Sequence, residues 1–271
     1  MNNSASPRYT YSVPRLLLSF IRVLIGIPSS LSRDSQLLLQ GAHPEPRALN
    51  IENIPPDSPF VLTLNHYDRP GLGAWWGAAT IASAIGTRRT REPREIHMMM
   101  AREWWYRGGF GHWVKQPLTN LFFGQIAKTY NIIRLSPVID HDEFRGEGTM
   151  AIRNAIALTQ GDNPQLVGLA PEGRTGKNFS LCQPPHGAGL FMLLLTHEKI
   201  PCLPVGLYED EEKILTANFG APYMLSVSHR MAKAKRDLEV IRQVMVHVGM
   251  QLPENMWGVF NEEIRAALKL R

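Results

Sequence analysis

The chain has few of the features that mark several common classes of protein. Only two of its 271 residues are cysteine, Cys182 and Cys202. Two cysteines do not make a disulfide framework, so we expect a reducing interior. No stretch of about 18 uninterrupted apolar residues is present, which leaves no convincing transmembrane span. Internal repeats and low-complexity tracts are also missing, so the sequence fits one compact unit.

Three familiar site motifs are also absent. Residues 173–177 (GRTGK) suggest a nucleotide-binding loop, but Pro171 stands where a P-loop needs glycine and Asn178 where it needs serine or threonine. A G-x-S-x-G elbow is missing, which disfavours a serine esterase. The candidate ligands for zinc are Cys182, His186, His197 and Cys202. Their spacing matches no standard zinc pattern, so we expect no metal site.

Composition and charge allow a large folded core and favour an anionic partner. Apolar residues make up 44% of the chain, enough for one α/β sheet with helices on both faces. The net charge of +5 and the pI near 9.3 favour an anionic surface or a phosphorylated ligand. No nucleic-acid-binding motif is present, so we expect no nucleic-acid partner.

A short amphipathic helix is predicted near the amino terminus, between Pro14 and Pro28. Its non-apolar positions are spaced by four, three and four, which places them on one stripe: Arg15, Ser19, Arg22 and Gly26. About 13 residues reach only ~20 Å, too short to cross a bilayer. The helix either lies in a bilayer surface with its arginines at the headgroups, or packs on the core with one wet edge.

The rest of the chain alternates between strand and helix patterns, which predicts an α/β fold. We expect a single domain with a central, largely parallel or mixed sheet flanked by helices. The predicted strands are 59–64, 96–100, 130–135, 165–170, 202–208 and 213–218. The predicted helices are 71–85, 143–160, 189–198, 229–248 and 255–270. Residues 1–47 form the amphipathic membrane-surface helix and linker in this prediction, and residues 48–271 form the α/β domain.

Two polar motifs directly follow apolar runs that we predict to be buried strands. Residues 64–70 read LNHYDRP, and residues 169–174 read LAPEGR. Open α/β sheets usually bind ligands at the carboxyl ends of their strands. The first motif supplies an imidazole, which exchanges protons near neutral pH, and the second a carboxylate in a turn with backbone N–H groups. Such a pair would suit the transfer of an acyl group to a hydroxyl.

These motifs and several others occur in the order and spacing of a known family. Over roughly residues 48–225 the chain resembles the glycerolipid acyltransferases, the family that includes the lysophosphatidic acid acyltransferases. The matching segments are 49–55 (LNIENIP), Asn65-His66, 129–135 (TYNIIRL), 171–173 (PEG), 201–205 (PCLPV) and 219–222 (FGAP).

The resemblance implies a reaction and a set of site residues. His66 would be the general base that activates an acceptor hydroxyl for attack on acyl-CoA or acyl-carrier protein, with no other cofactor and no acyl-enzyme. Residues expected to bind a phosphorylated acceptor are Glu172, Gly173, Arg174, Lys177 and, in the weak second motif, Arg134. The implied partners are a membrane surface and anionic lipids, and the implied location is the cytoplasmic face of a membrane, as a peripheral or monotopic protein.

The chain departs from the family pattern at two places. The family has an aspartate five residues after the histidine to orient the imidazole, and here that position is Gly71. Asp68 could replace it, or a more distant acid such as Asp140 or Asp142, or a backbone carbonyl. Arg174 and Thr175 also stand in the opposite order to the usual threonine-arginine. Two alternatives therefore stay open: a lipid-binding relative without activity, and an acyltransferase for a non-phosphorylated acceptor.

Overall fold

A computed structural model of the protein describes residues 7–101, 109, 111–135, 147–197 and 199–270. The described helices are α1 (Val13–Ile25), α2 (Leu31–Leu39), α3 (Trp75–Arg88), α4 (Gln116–Tyr130), α5 (Glu147–Thr159), α6 (Ala188–Thr196), α7 (Lys233–Gly249) and α8 (Asn261–Lys269). The described strands are β1 (Arg47–Leu49), β2 (Val61–Leu64), β3 (Ile96–Ala101), β4 (Ile133–Leu135), β5 (Leu166–Leu169), β6 (Cys202–Glu209) and β7 (Leu215–Phe219).

The strands form one seven-stranded sheet in the order β1-β7-β6-β2-β5-β3-β4. Every neighbouring pair is parallel except β6 and β7, which are antiparallel. All residues of β2 and β5 are buried, as expected for strands covered on both faces. The prediction of a largely parallel, single α/β domain is therefore confirmed.

Helices cover both faces of the sheet, as two consecutive residues of β6 show. Leu207 lies against Gly77 of α3, where a Cβ atom would come within 2.6 Å of the leucine side chain. Gly206 faces the other way, against the backbone of Gln251, which follows α7. Because successive residues of a strand point to opposite faces, α3 and α7 lie on opposite sides of the sheet.

Several local predictions needed correction. The helix predicted over 71–85 begins only at Trp75, because a tight turn from Arg69 to Leu72 precedes it. The helices α2 and α4 were not predicted. Strand β1 lies across the end of the predicted linker and pairs with β7 at the sheet edge. The boundary between residues 47 and 48 stays a prediction.

The orientation of α1 differs from both alternatives considered above. Three positions of its polar stripe face the protein: Ser19 and Gly26 are buried, and Arg22 donates a hydrogen bond to Ser29 at 3.3 Å. At these three positions the expectation of a wet polar edge was wrong, and so was the expectation that Arg22 points outward to headgroups. The outward face is apolar and includes Leu17, Leu18, Ile21, Leu24 and Ile25.

The helix α1 packs against α4 with its polar side. Gly26 follows α1 directly and approaches α4 so closely that a Cβ atom there would lie 2.4 Å from the side-chain oxygen of Gln125. Helix α4 also has exposed apolar side chains, Leu118, Leu121 and Phe122. Across the described part of the chain, no helix has both the length and the apolar character needed to span a membrane.

Candidate active site

The two predicted motifs meet at one edge of the sheet. Strands β2 and β5 are parallel neighbours, with Thr63 opposite Leu169. His66 therefore follows β2, and Glu172 follows β5, at the carboxyl ends of adjacent central strands. The fold thus places both side chains where open α/β sheets bind ligands.

Asn65 fixes the chain immediately before His66. Its side-chain amide donates to the carbonyl of Leu207 at 2.9 Å and accepts from the Leu207 N–H at 2.7 Å. The amide thus continues the hydrogen-bond ladder between β2 and β6 beyond the last residue of β2. Since Asn65 is only 1% exposed, this pair of bonds anchors the chain from which the His66 side chain projects.

Glu172 holds two loops together with its two carboxylate oxygens. One oxygen accepts the backbone N–H of His66 at 3.1 Å, and the other accepts the backbone N–H of Cys182 at 2.6 Å. The residue is 4% exposed. Burial raises the pKa of the Glu172 carboxyl above its ordinary value, although the hydrogen bonds from Cys182 and His66 oppose that rise. Glu172 thus links the backbone at His66 to the backbone at Cys182, and we call this pair of hydrogen bonds the Glu172 clamp.

The His66 imidazole is held on its Nδ1 side and is 33% exposed. Nδ1 lies 2.8 Å from the hydroxyl oxygen of Thr175, and that hydroxyl donates a short hydrogen bond to Asp68. Nδ1 itself lies 3.5 Å from the nearest oxygen of Asp68. The acid proposed to replace the missing aspartate is therefore beside the ring, with the threonine hydroxyl bridging them. The alternative acids Asp140 and Asp142 lie outside the described residues.

Gly71, at the family's aspartate position, belongs to a tight turn. Two backbone hydrogen bonds of 2.9 Å join Arg69 and Leu72, with Pro70 and Gly71 between them. Proline followed by glycine at the centre is the signature of a type II turn, and Gly71 has the required positive φ of 83°. The local backbone at this position therefore favours glycine and disfavours an aspartate.

A buried ion pair fixes the segment that carries His66 and Asp68. Arg69 binds Glu209 through two hydrogen bonds of 2.6 and 2.5 Å, and both side chains are less than a tenth exposed. The Tyr67 hydroxyl donates to the same carboxylate at 3.0 Å. The bond to Glu209 raises the pKa of Arg69, while burial raises the pKa of Tyr67 well above its ordinary value. These contacts leave little freedom to the residues on either side of Asp68.

The turn after Glu172 is open to solvent. Gly173 has a φ of 63°, and a Cβ atom there would meet no atom of the described residues within 4 Å. Arg174 and Lys177 are exposed, and the positive charge of Arg174 also acts to lower the pKa of the Glu172 carboxyl. Both cationic side chains thus face solvent on the segment that follows Glu172.

Arg134 lies farther away than the other predicted site residues. It is on β4, the edge strand, three strand intervals from β2, or about 14 Å at the usual spacing. Its guanidinium donates to Asn120 of α4 at 3.2 Å. The structure therefore brings together His66, Asp68 and Glu172. It places Gly173, Arg174 and Lys177 on the exposed segment after Glu172 and leaves Arg134 at the edge of the sheet.

Asn65, Thr175 and Glu209 were not predicted as functional residues. The reversed order of Arg174 and Thr175 was the one visible signal for the threonine. For the residues described, no cluster of three or more potential metal ligands is found.

The fold is similar to that of a solved structure, the 1-acyl-sn-glycerophosphate (LPA) acyltransferase PlsC from Thermotoga maritima. The similarity covers 86% of this chain and 89% of that one, with 13% sequence identity and a TM-score of 0.43. No protein-family model matches the sequence, and no curated protein matches it. At 13% identity the similarity describes the fold and not the chemistry of the site.

Proposed function

We propose that the protein transfers a fatty acyl group from an acyl thioester to a hydroxyl of a lysophospholipid or related lipid, with His66 as general base. The observation that carries this proposal is the exposure and hydrogen bonding of the His66 imidazole. It is partly exposed at the carboxyl edge of the sheet, and its Nδ1 is engaged by Thr175. The remaining nitrogen, Nε2, is then the one that can take a proton from a substrate.

The proposed reaction needs one base and no covalent enzyme intermediate. As Nε2 of His66 removes the proton from the acceptor hydroxyl, the acceptor oxygen attacks the thioester carbonyl. The tetrahedral intermediate collapses with cleavage of the carbon–sulfur bond, and the imidazolium returns its proton to the thiolate. The products are an ester and a free thiol. A positioned base of this kind is worth ~10²–10⁴ in rate.

An acceptor that carries a phosphate fits the charges around the open turn. Arg174 and Lys177 are exposed cations that follow the clamped Glu172, and space is open at Gly173. A guanidinium binds a phosphate through charge-assisted hydrogen bonds. Arg134 would contact only a substrate that extends about 14 Å along the strand ends.

The apolar outer face of α1 supports action at a membrane surface. Leu17 and Leu24 are 57% and 65% exposed, although burying a leucine side chain is worth roughly 1.5–3 kcal/mol. A helix that turns its polar side inward and its apolar side outward is suited to insertion into the upper part of a bilayer. The exposed Leu118 and Leu121 of the neighbouring α4 would add to the same contact. We propose that the protein is peripheral or monotopic, on the cytoplasmic face of a membrane that contains anionic lipid.

The substrate class can be tested with purified protein, vesicles and a panel of acceptors. We expect acyl-CoA or acyl-carrier protein to be consumed in the presence of lysophosphatidic acid, with one thiol released per ester formed. The double variant Arg174→Gln/Lys177→Gln should weaken transfer to lysophosphatidic acid but leave transfer to monoacylglycerol unchanged.

A second candidate function is lipid binding without catalysis. It is favoured by the distance between the His66 imidazole and Asp68: among the described residues no carboxylate forms a direct hydrogen bond with the ring, and the Asp68 oxygen lies 3.5 Å from Nδ1. If no acceptor is acylated but the protein retains lysophospholipid, transfer is ruled out and the binding function stands. Transfer to monoacylglycerol but not to lysophosphatidic acid would overturn the phosphate-bearing acceptor alone.

A further inference from the structure

We infer that Thr175 is a positioning residue that fixes the protonation pattern of His66 and links the imidazole to Asp68. This inference rests on the proposed function for its kinetic consequence only, because the protonation pattern can be observed without any reaction. The inference is based on two consecutive hydrogen bonds, one between His66 Nδ1 and the Thr175 hydroxyl at 2.8 Å and one from that hydroxyl to Asp68.

The direction of both hydrogen bonds follows from the number of protons available. An ionised carboxylate only accepts hydrogen bonds, and a hydroxyl has one proton to donate. Because the Thr175 hydroxyl donates that proton to Asp68, its oxygen can interact favourably with Nδ1 only by accepting. His66 must then hold its proton on Nδ1, and Nε2 keeps its lone pair. This is the form that a general base needs.

The same pair of hydrogen bonds places the negative charge of Asp68 near the His66 imidazole. When Nε2 takes the substrate proton, the imidazole becomes a cation with Asp68 3.5 Å from Nδ1. Asp68 is about half exposed, so water screens part of this attraction. The hydroxyl between the two groups holds them in a fixed relation without bringing them into direct contact.

The two departures from the family pattern are complementary in this geometry. The turn at Gly71 disfavours an acid at that position, and Asp68, three residues earlier, reaches the imidazole through a hydroxyl. That hydroxyl is available because residue 175 is half-buried toward His66, while residue 174 is exposed. In the opposite order, the arginine would occupy the position that faces the imidazole, and the threonine would face solvent.

Two substitutions separate the hydroxyl from the shape of the side chain. Thr175→Val keeps the volume but removes the hydroxyl, and its methyl group prevents Asp68 from moving into the gap. We expect kcat/KM to fall by about 10²-fold, less than the ~10⁴-fold loss caused by changing the orienting acid of a Ser-His-Asp triad. Thr175→Ser keeps the hydroxyl and should recover most of the activity that Thr175→Val loses.

The protonation pattern provides the readout that a purely structural role would not change. In protein labelled with ¹⁵N-histidine, the His66 signals are identified by their loss in His66→Ala. We expect a protonated Nδ1 and an unprotonated Nε2 in the wild type and in Thr175→Ser, and a mixture of both neutral forms in Thr175→Val. Equal melting temperatures of the two Thr175 variants show that both fold.

The inference is overturned if Thr175→Val keeps the wild-type protonation pattern, or if Thr175→Ser loses as much activity as Thr175→Val. A wild type that transfers no acyl group but shows the expected pattern would refute the proposed function and leave the role of Thr175 intact. The double variant Thr175→Val/Asp68→Asn adds a further test, because linked residues should give losses that do not add.

Discussion

Glu172 accepts a hydrogen bond from the backbone N–H of His66 at 3.1 Å, although the two residues are 106 positions apart in the chain. Its other carboxylate oxygen accepts the N–H of Cys182. The residue that resembles an acceptor-binding glutamate therefore also holds the histidine in place. A loss of activity on changing Glu172 would then come partly from a displaced base.

We predict that Glu172→Ala lowers both stability and activity. The change leaves the N–H groups of His66 and Cys182 without their acceptor, and an unsatisfied buried group costs about 1–3 kcal/mol. Urea unfolding should show this loss, whereas the exposed Glu211→Ala should change the free energy of unfolding little. An unchanged midpoint for Glu172→Ala would contradict the clamp.

The raised pKa of Glu172 predicts a pH dependence of that difference in stability. A carboxyl whose pKa is raised by folding favours the protonated form, so its ionisation opposes folding as the pH rises above its ordinary value of 4.5. The stability advantage of wild type over Glu172→Ala should therefore be greater near pH 4 than near pH 7. A difference that grows with pH would show that the carboxyl is stabilised in its ionised form.

We predict that an aspartate introduced at position 71 destabilises the protein and adds no activity. Gly71→Asp places a side chain at a φ of 83°, where residues other than glycine are strained by about 1 kcal/mol or more. Gly71→Ala, which carries the same backbone strain without a charge, is the matched control. Both variants should unfold at lower urea concentration than wild type, and Gly71→Asp should be no more active than Gly71→Ala. A gain in activity specific to the aspartate would refute this reading of the turn.

The charge of Asp68 can be tested without changing the size of its side chain. In Asp68→Asn the side chain can still accept a hydrogen bond from the Thr175 hydroxyl, but it no longer carries a charge that stabilises the His66 imidazolium. We expect kcat to fall by about 10-fold or more with a small change in KM, because the charge acts only once the proton has moved. If wild type is active and this substitution is silent, Asp68 is not the acid that serves His66.

Membrane binding is predicted to depend on the outer face of α1. Leu17→Asp and Leu24→Asp should each weaken binding to anionic vesicles about tenfold or more, because burial of one leucine is worth roughly 1.5–3 kcal/mol. The matched control is Leu238→Asp on α7, where the leucine is also half exposed. Vesicle flotation measures the effect. Equal losses for the control and the α1 variants would mean that the face has no special role.

The sequence alone was enough to predict the central strands and the meeting of the two motifs. Short apolar runs before His66 and Glu172 indicated β2 and β5, and parallel pairing then placed both motifs at one edge. The helix α2 was missed because its sequence is rich in polar residues, and Glu95 on a distant part of the chain binds Ser30 and Ser32 at its first turn.

The details of the site could not be predicted because they depend on contacts between distant residues. Thr175 meets His66 across 109 positions, and Asn65 meets Leu207 across 142. The orientation of α1 could not be predicted for the same reason. Periodicity showed one polar stripe and one apolar arc, but the polar contacts around Arg22 and Gly26 decided which of them faces the protein.

The central claim is that the His66 imidazole removes the proton from the acceptor hydroxyl. The most direct measurement is the initial rate of acyl transfer to lysophosphatidic acid by His66→Ala, compared with wild type and with the exposed His43→Ala. We predict a loss of ~10²–10⁴ for His66→Ala alone, with membrane binding and melting temperature unchanged. Transfer by His66→Ala at the wild-type rate would contradict the claim.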